Sequence, residues 1–303
     1  MSKNYPISGT FIDEITYDIP SSNWDYKQWA KDLDYMKKVG IDTVITIRAG
    51  FNGKMIYPSK VLPHLNDDDQ DFADFIFKEC EKRNMKVIFG LYISNLTWND
   101  GNADEEIRCN KLLIDEAFER YGHYKSFYGW YIPHEVGSNV LNIAYLQNSL
   151  AKMCKEKTPD KKVMFSPFFY CEWADKEHPL SPEETYKEWK EILKDSNGNL
   201  DFCAFQDGSA PYEKRAEYFK QAKKAMDEQG IEIWANIEMF DKSPNGLMPV
   251  DFNVLKSKIN VVKPIVSKMI TFEFSHFMSP QSIYPSAKNL YNRYKDYYGK
   301  KDN

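Results

Sequence analysis

WDYKQWAKDLDYMKKVGIDTVITIRAG, residues 24–50, holds one complete unit of the fold. In its first part Trp29, Leu33, Met36 and Val39 recur at helical spacing, which gives a helix with one apolar stripe that Gly40 ends. Its second part, 43–48, is a short β-rich run. A helix that hands over to a buried strand within so few residues is half of a parallel strand, helix, strand repeat.

Outward from this unit the alternation continues in both directions. Further β-rich runs lie at 7–13, 86–93, 129–133, 162–167, 201–206, 233–237 and 268–274. Helical stretches fit 69–83, 104–120, 144–157, 182–194, 212–228, 252–262 and 286–298. Eight such units in 303 residues match a (β/α)8 barrel, the TIM barrel, better than a doubly wound sheet. A doubly wound sheet would also need a glycine-rich phosphate loop, and neither GxGxxG nor a P-loop sequence occurs. With no composition break, low-complexity tract or sequence repeat, the expectation is α/β, one TIM-barrel domain over residues 1–303.

Charge and composition narrow the partners. Forty basic against forty-five acidic side chains, a net charge of −5 without long single-sign blocks, argue against nucleic acid and anionic membranes. No stretch reaches the ~18 apolar residues of a membrane helix. The start, MSKNYPISGTF, lacks the basic and apolar segments of a signal peptide. Cys80, Cys109, Cys154, Cys171 and Cys203 are odd in number and without a CxxC pair, which fits reduced thiols. A cytoplasmic setting is expected for the chain as written, and an extracellular one if a signal peptide was removed. Aromatic residues make up 15% of the chain, with 20 Tyr and 19 Phe, enough to furnish a cleft for apolar sugar faces as well as a core.

A barrel of this kind builds its site at the C-terminal ends of the strands. Those ends read Asp13 and Glu14; Arg48; Tyr92, Ser94 and Asn95; His134 and Glu135; Tyr170 and Glu172; Gln206 and Asp207; Asn236 and Glu238; Glu273, Ser275 and His276. Three carboxylates stand inside apolar runs: Glu135 in GWYIPHEV, Glu238 in IWANIEMF and Glu273 in MITFEFSHF. A buried carboxylate costs several kcal/mol unless paired, so each needs a partner or a function. Trp98 and Trp173 fall in irregular polar stretches and are candidate sugar platforms, with Trp173 and the 170–181 loop expected to wall the cleft; Trp130 and Trp234 lie within strands and read as core. Arg48 and Gln206 are candidates to bind hydroxyls or to hold the carboxylates, and His134 and Asp207 to tune them.

With glutamates closing its fourth and seventh strands, the chain resembles the large clan of retaining glycoside hydrolases built on TIM barrels. The resemblance implies that Glu135 is the acid/base and Glu238 the nucleophile. In that clan Asn usually precedes the acid/base and binds the substrate 2-hydroxyl; here that position is His134. ISGTFIDEI, MKKVGIDTVITIRAG, GWYIPHEV, AFQDG and WANIEMF together resemble a narrower bacterial family, known as domain of unknown function forty-four thirty-four and regarded as glycoside-hydrolase-like. These readings predict a glycosidase acting on a carbohydrate through Glu135 and Glu238, with Arg48, Tyr92, Trp98, His134, Tyr170, Trp173, Gln206, Asp207, Asn236 and Glu273 binding substrate. The alternative is a sugar-binding barrel without turnover. No cofactor and no metal are expected: with five His and no HxH or HExxH spacing a metal-dependent hydrolase fits poorly. A Schiff-base aldolase would need a lysine at a strand end, and Lys268 falls near a strand start.

Overall fold

The computed structural model describes residues 5–16, 23–65, 70–94, 98, 102–244 and 246–299. Asn95, one of the strand-end candidates, lies outside them. Eight parallel strands close into a barrel: Ile7–Ile12, Thr43–Thr46, Lys86–Gly90, Phe127–Ile132, Lys162–Phe165, Phe202–Gln206, Glu232–Glu238 and Lys268–Phe272. The first pairs with both the second and the eighth, so no barrel edge is left open.

The helices that return the chain start and stop where the local sequence directs. Helix Tyr26–Lys38 begins with a reciprocal capping box between Asp25 and Gln28 and buries Trp29, Leu33 and Met36. After Val39 the chain turns at Gly40, whose φ of +86° strains any side chain. Helix Pro182–Leu193 uses the same device with Ser181 and Glu184, reinforced by proline at its first position.

Side-chain alternation along the strands divides the core in two. Facing outward to the helices is a large apolar layer that includes Val44, Val87, Trp130, Val163, Cys203 and Ile233. Inside the barrel lies a second cluster: Phe11, Ile45, Ile47, Ile88, Tyr131, Met164, Phe202, Ala204, Trp234 and Ile270. Trp130 sits between barrel and helices with its indole N–H donated to Thr158, whereas Trp234 stacks on Phe202 within the barrel, ring centroids 4.2 Å apart.

Most strand bounds move by one or two residues, and at the ends of two runs another element takes over. The run 86–93 splits: Lys86–Gly90 stays in the barrel, and Tyr92–Ile93 leaves it to pair with Gly50–Phe51 in a small three-stranded sheet on the rim. Gly90 permits the close approach this needs, since a Cβ there would lie 2.3 Å from the Thr46 carbonyl. The run 268–274 stops at Phe272, because Phe274–Phe277 form a helical turn whose first N–H is taken by the Thr10 hydroxyl. Beyond the seventh strand, Phe240–Ser243 and Gly246–Pro249 add a hairpin over the barrel mouth that sequence periodicity did not reveal.

Candidate active site

The inward alternation does not end with the strands. In the seventh strand Trp234, Asn236 and Glu238 share one parity; in the sixth, Ala204 and Gln206; in the eighth, Ile270 and Phe272; from the fourth, Tyr131, Pro133 and Glu135. Register places Asn236 opposite Gln206 and Glu238 opposite Phe272. These side chains therefore rise in layers up the barrel axis, and those above Trp234, Ala204 and Ile270 line a cavity of about 350 Å³ at the C-terminal mouth, near the lower end of the volumes typical of ligand pockets.

The polar lining consists of Glu135, Glu238, Arg48, Gln206, Asn236 and Thr16, and the rest is mainly aromatic and aliphatic: Phe11, Phe51, Trp98, Tyr131, Phe240 and Phe272 among others. Such a wall, with a few convergent polar groups, suits a ligand with apolar faces and hydroxyl edges. Asn236 donates to the Ser166 hydroxyl at 3.3 Å and Gln206 to the Ser166 carbonyl at 3.0 Å, so both amides are held by the fifth strand's end. The Asn236 Oδ1 and the Arg48 Nε are buried without a hydrogen-bond partner, acceptor and donor left for a bound molecule to satisfy.

The two glutamates occupy different surroundings. Glu135 is 47% exposed at its side chain, with Arg48 Nη2 3.9 Å from its Oε1. Arg48 itself lies over Phe51, its guanidinium carbon 4.7 Å from the ring centre. Burial and the charge of Glu135 push the Tyr131 hydroxyl far above its usual range, so it remains a proton donor beside the pair. Glu238, by contrast, is partly buried against the chain. A Cβ on Gly208 would fall 1.8 Å from Glu238 Oε2 and 2.1 Å from Cδ, so the carboxyl occupies the space that any other residue at 208 would fill. Burial first, and next the charge of Asp207, push the Glu238 carboxyl up to about 7; Lys258 and Lys242 pull it down and Glu135 adds to the rise.

Six of the expected substrate contacts do not line this cavity, and strand parity explains three of them. His134, Asp207 and Glu273 are each one residue out of phase with the inward set and point into the helix layer. There His134 Nε2 meets Glu106 Oε1 at 2.9 Å, Glu273 pairs with His276, and Asp207 pairs with Arg215 and Lys258. His134, expected to tune Glu135 and to bind a substrate hydroxyl, thus does not line the cavity. Tyr92 is buried in the rim sheet, its backbone bonded on both sides to the Asn110 amide. Tyr170 donates to Asp175 at 2.8 Å and closes its own loop. Trp173 is 59% exposed with Lys242 Nζ 3.6 Å from its ring centre, outside the cavity wall it was expected to form. Among the residues that sequence reasoning missed are Gly208, Phe51, Phe240, Phe272 and Tyr131. Phe272 was legible from parity, but the two rim phenylalanines depend on sheets that only the folded chain defines.

Among the described residues no group of three or more His, Cys, Asp or Glu is placed to hold a metal ion, and no helix is long and apolar enough to cross a membrane.

The family model described as "Domain of unknown function (DUF4434)" matches residues 7–284. A solved Bacteroides thetaiotaomicron protein with the provisional name alpha-L-fucosidase is 40% identical, with a TM-score of 0.92 over 99% of this chain and 96% of its own. A GH2 beta-galacturonidase from Eisenbergiella tayi superimposes with a TM-score of 0.61 at 12% identity, over 97% of this chain and 51% of its own. A GH18 chitinase from Pseudoalteromonas aurantia does so with a TM-score of 0.54 at 11% identity, over 88% and 93%. The last two show a shared fold alone. A search of curated proteins gives no match.

Proposed function

The chain belongs to the DUF4434 family, glycoside-hydrolase-like TIM barrels, and from that premise we propose that it is a glycosidase whose catalytic carboxylates are Glu135 and Glu238. The observation that carries this reading is their placement. Both continue the inward parity of the fourth and seventh strands into one aromatic cavity, one open to solvent beside Arg48 and the other seated on Gly208.

In the retaining form of the reaction the ionised Glu238 attacks the anomeric carbon while Glu135 gives its proton to the departing glycosidic oxygen. The C–O bond to the leaving group breaks as the sugar–Glu238 ester forms. Glu135, now a carboxylate, takes a proton from water, whose oxygen displaces Glu238 and releases the sugar; both residues return to their starting states. The exposed position of Glu135 suits it to trade protons with leaving group and water, whereas Glu238, raised to about 7 by burial and Asp207, must lose its proton before it attacks. Arg48 and Asn236, with unmet hydrogen-bonding capacity in the wall, are the groups to orient sugar hydroxyls.

Hydrolysis of a panel of aryl glycosides tests the proposal. The provisional name of the Bacteroides relative puts alpha-L-fucosides first in that panel, followed by galactosides, xylosides and uronides. Turnover lost in both Glu135→Gln and Glu238→Ala supports the assignment. Sugar binding without turnover of any panel member would leave a carbohydrate-binding barrel instead.

A further inference from the structure

Beneath the Glu238 carboxyl, outside the cavity, lies a buried charged cluster that the proposed reaction does not use directly. Asp207 is fully buried and accepts the Glu238 backbone N–H at 2.9 Å. Its other charged neighbours are cations from two helices. Lys258, on helix Phe252–Val262, donates to Asp207 Oδ1 at 3.4 Å and to the Glu238 carbonyl at 3.0 Å. Arg215, opening helix Arg215–Glu228, sets Nη1 3.4 Å from Asp207 Oδ2 and donates to the Asp207 and Ala210 carbonyls. The Asp207 N–H is in turn bonded to the Asn236 carbonyl at 3.0 Å.

The cluster therefore clamps the end of the seventh strand to the loop after the sixth, and the next residue in that loop is Gly208, on which the Glu238 carboxyl rests. A structural salt bridge alone would not need to reach Glu238. This one holds both its N–H and its carbonyl, and places one negative and one positive charge within reach of its carboxyl.

We infer that Asp207, held between Arg215 and Lys258, is the positioning residue of the site: it seats Glu238 over Gly208 and sets the charge its carboxyl faces. The inference rests on the glycosidase reading only for its purpose, not for its physics. The charged groups facing Glu238 are Asp207 from below, Lys258 from its helix, Lys242 from the mouth hairpin and Glu135 from the fourth strand, with Arg48 on the same cavity wall. Asp207 is the negative member that raises the Glu238 carboxyl most, and Lys258 is its counterweight.

The test is a carbon-13 NMR titration of the Glu238 side-chain carboxyl in the full chain, with no substrate present, assigned by its loss in Glu238→Gln. Asp207→Asn keeps an oxygen to accept the Glu238 N–H, removes the negative charge and leaves two cations uncompensated. The Glu238 midpoint is expected to fall by about one unit or more. Lys258→Met removes the opposing charge and is expected to raise it, which decides the matter if Asp207→Asn fails to fold. A wild-type midpoint in both variants, or shifts of the reverse sign, overturns the inference. If the midpoints move as expected and no glycoside is turned over by wild type, the glycosidase reading fails while the positioning role stands. Where turnover is measurable, the acid limb of kcat/KM moves with the titration, which a merely structural role would not produce.

Discussion

The ends of the fourth and seventh strands make an instructive pair. Each delivers a glutamate to the same cavity with the same inward parity. At the fourth strand the residue beside the glutamate, His134, turns away to a buried Glu106, and Glu135 itself stands half in solvent next to a cation. At the seventh strand the glutamate is pressed against a glycine, with a buried anion under it. The chemical group is identical, and the difference in its behaviour comes from how much water surrounds it and which charge lies nearest. In a two-carboxylate reaction one group must carry a proton while the other does not, and here the raised group is Glu238, the proposed nucleophile, so the assigned roles hold only once Glu238 has given up its proton.

The strongest way to break the comparison is to remove each carboxylate in turn and follow an activated aryl glycoside, whose leaving group departs without a proton. Glu238→Gln should lose on the order of 10⁴-fold or more in both steps. Glu135→Gln should leave glycosylation within about tenfold of wild type and stall deglycosylation, with azide restoring turnover as a glycosyl azide of retained configuration. If the two variants respond alike to azide, the pair is misassigned.

Next in size is Gly208→Ala. The added methyl occupies the seat of the Glu238 carboxyl, so the side chain must move by an ångström or more, and about a hundredfold loss of kcat is expected with the fold intact by circular dichroism. Wild-type turnover in this variant would mean that the seat is not needed.

The comparison is sharpened by pH. Glu238 must be ionised to attack and its carboxyl is raised to about 7, so kcat/KM should climb as pH rises through about 7; a profile flat across that range would contradict the environment described. Stability should move the other way. A carboxyl whose folded value lies above its unfolded one favours the folded state below the unfolded value of 4.5, and that contribution is lost as pH rises to about 7. Glu238→Gln should therefore gain about 1–3 kcal/mol on wild type between about pH 5 and pH 8 in denaturant titrations. Glu135→Gln, at an exposed side chain, should stay within about 1 kcal/mol at both. Equal pH dependence of the two variants would erase the contrast.

The smallest effect is expected at Trp173. Because it stands outside the cavity under Lys242, Trp173→Ala should leave aryl monoglycosides unaffected and weaken only longer oligosaccharides, by a few-fold in KM. A large loss on the short substrate would place the indole in the cavity after all.

Much of this was legible before folding. The helix stripe Trp29, Leu33, Met36 and its glycine stop, the eight strand runs and the two glutamates ending the fourth and seventh of them follow from local periodicity, which backbone geometry imposes on any chain. Period two also determines which strand-end residue looks inward. His134, Asp207 and Glu273 stand beside Glu135, Gln206 and Phe272 in the sequence, yet alternation alone separates the two sets.

What the sequence could not determine is the surroundings of each group. That Lys258 joins Arg215 at Asp207, that Gly208 underlies Glu238 and that Phe51 and Phe240 close the mouth depend on residues about 30 to nearly 200 apart in the chain. Residue types and their phase are local properties. Burial, charge balance and the acidity that follows from them are sums over neighbours, and only the closed barrel decides who those neighbours are.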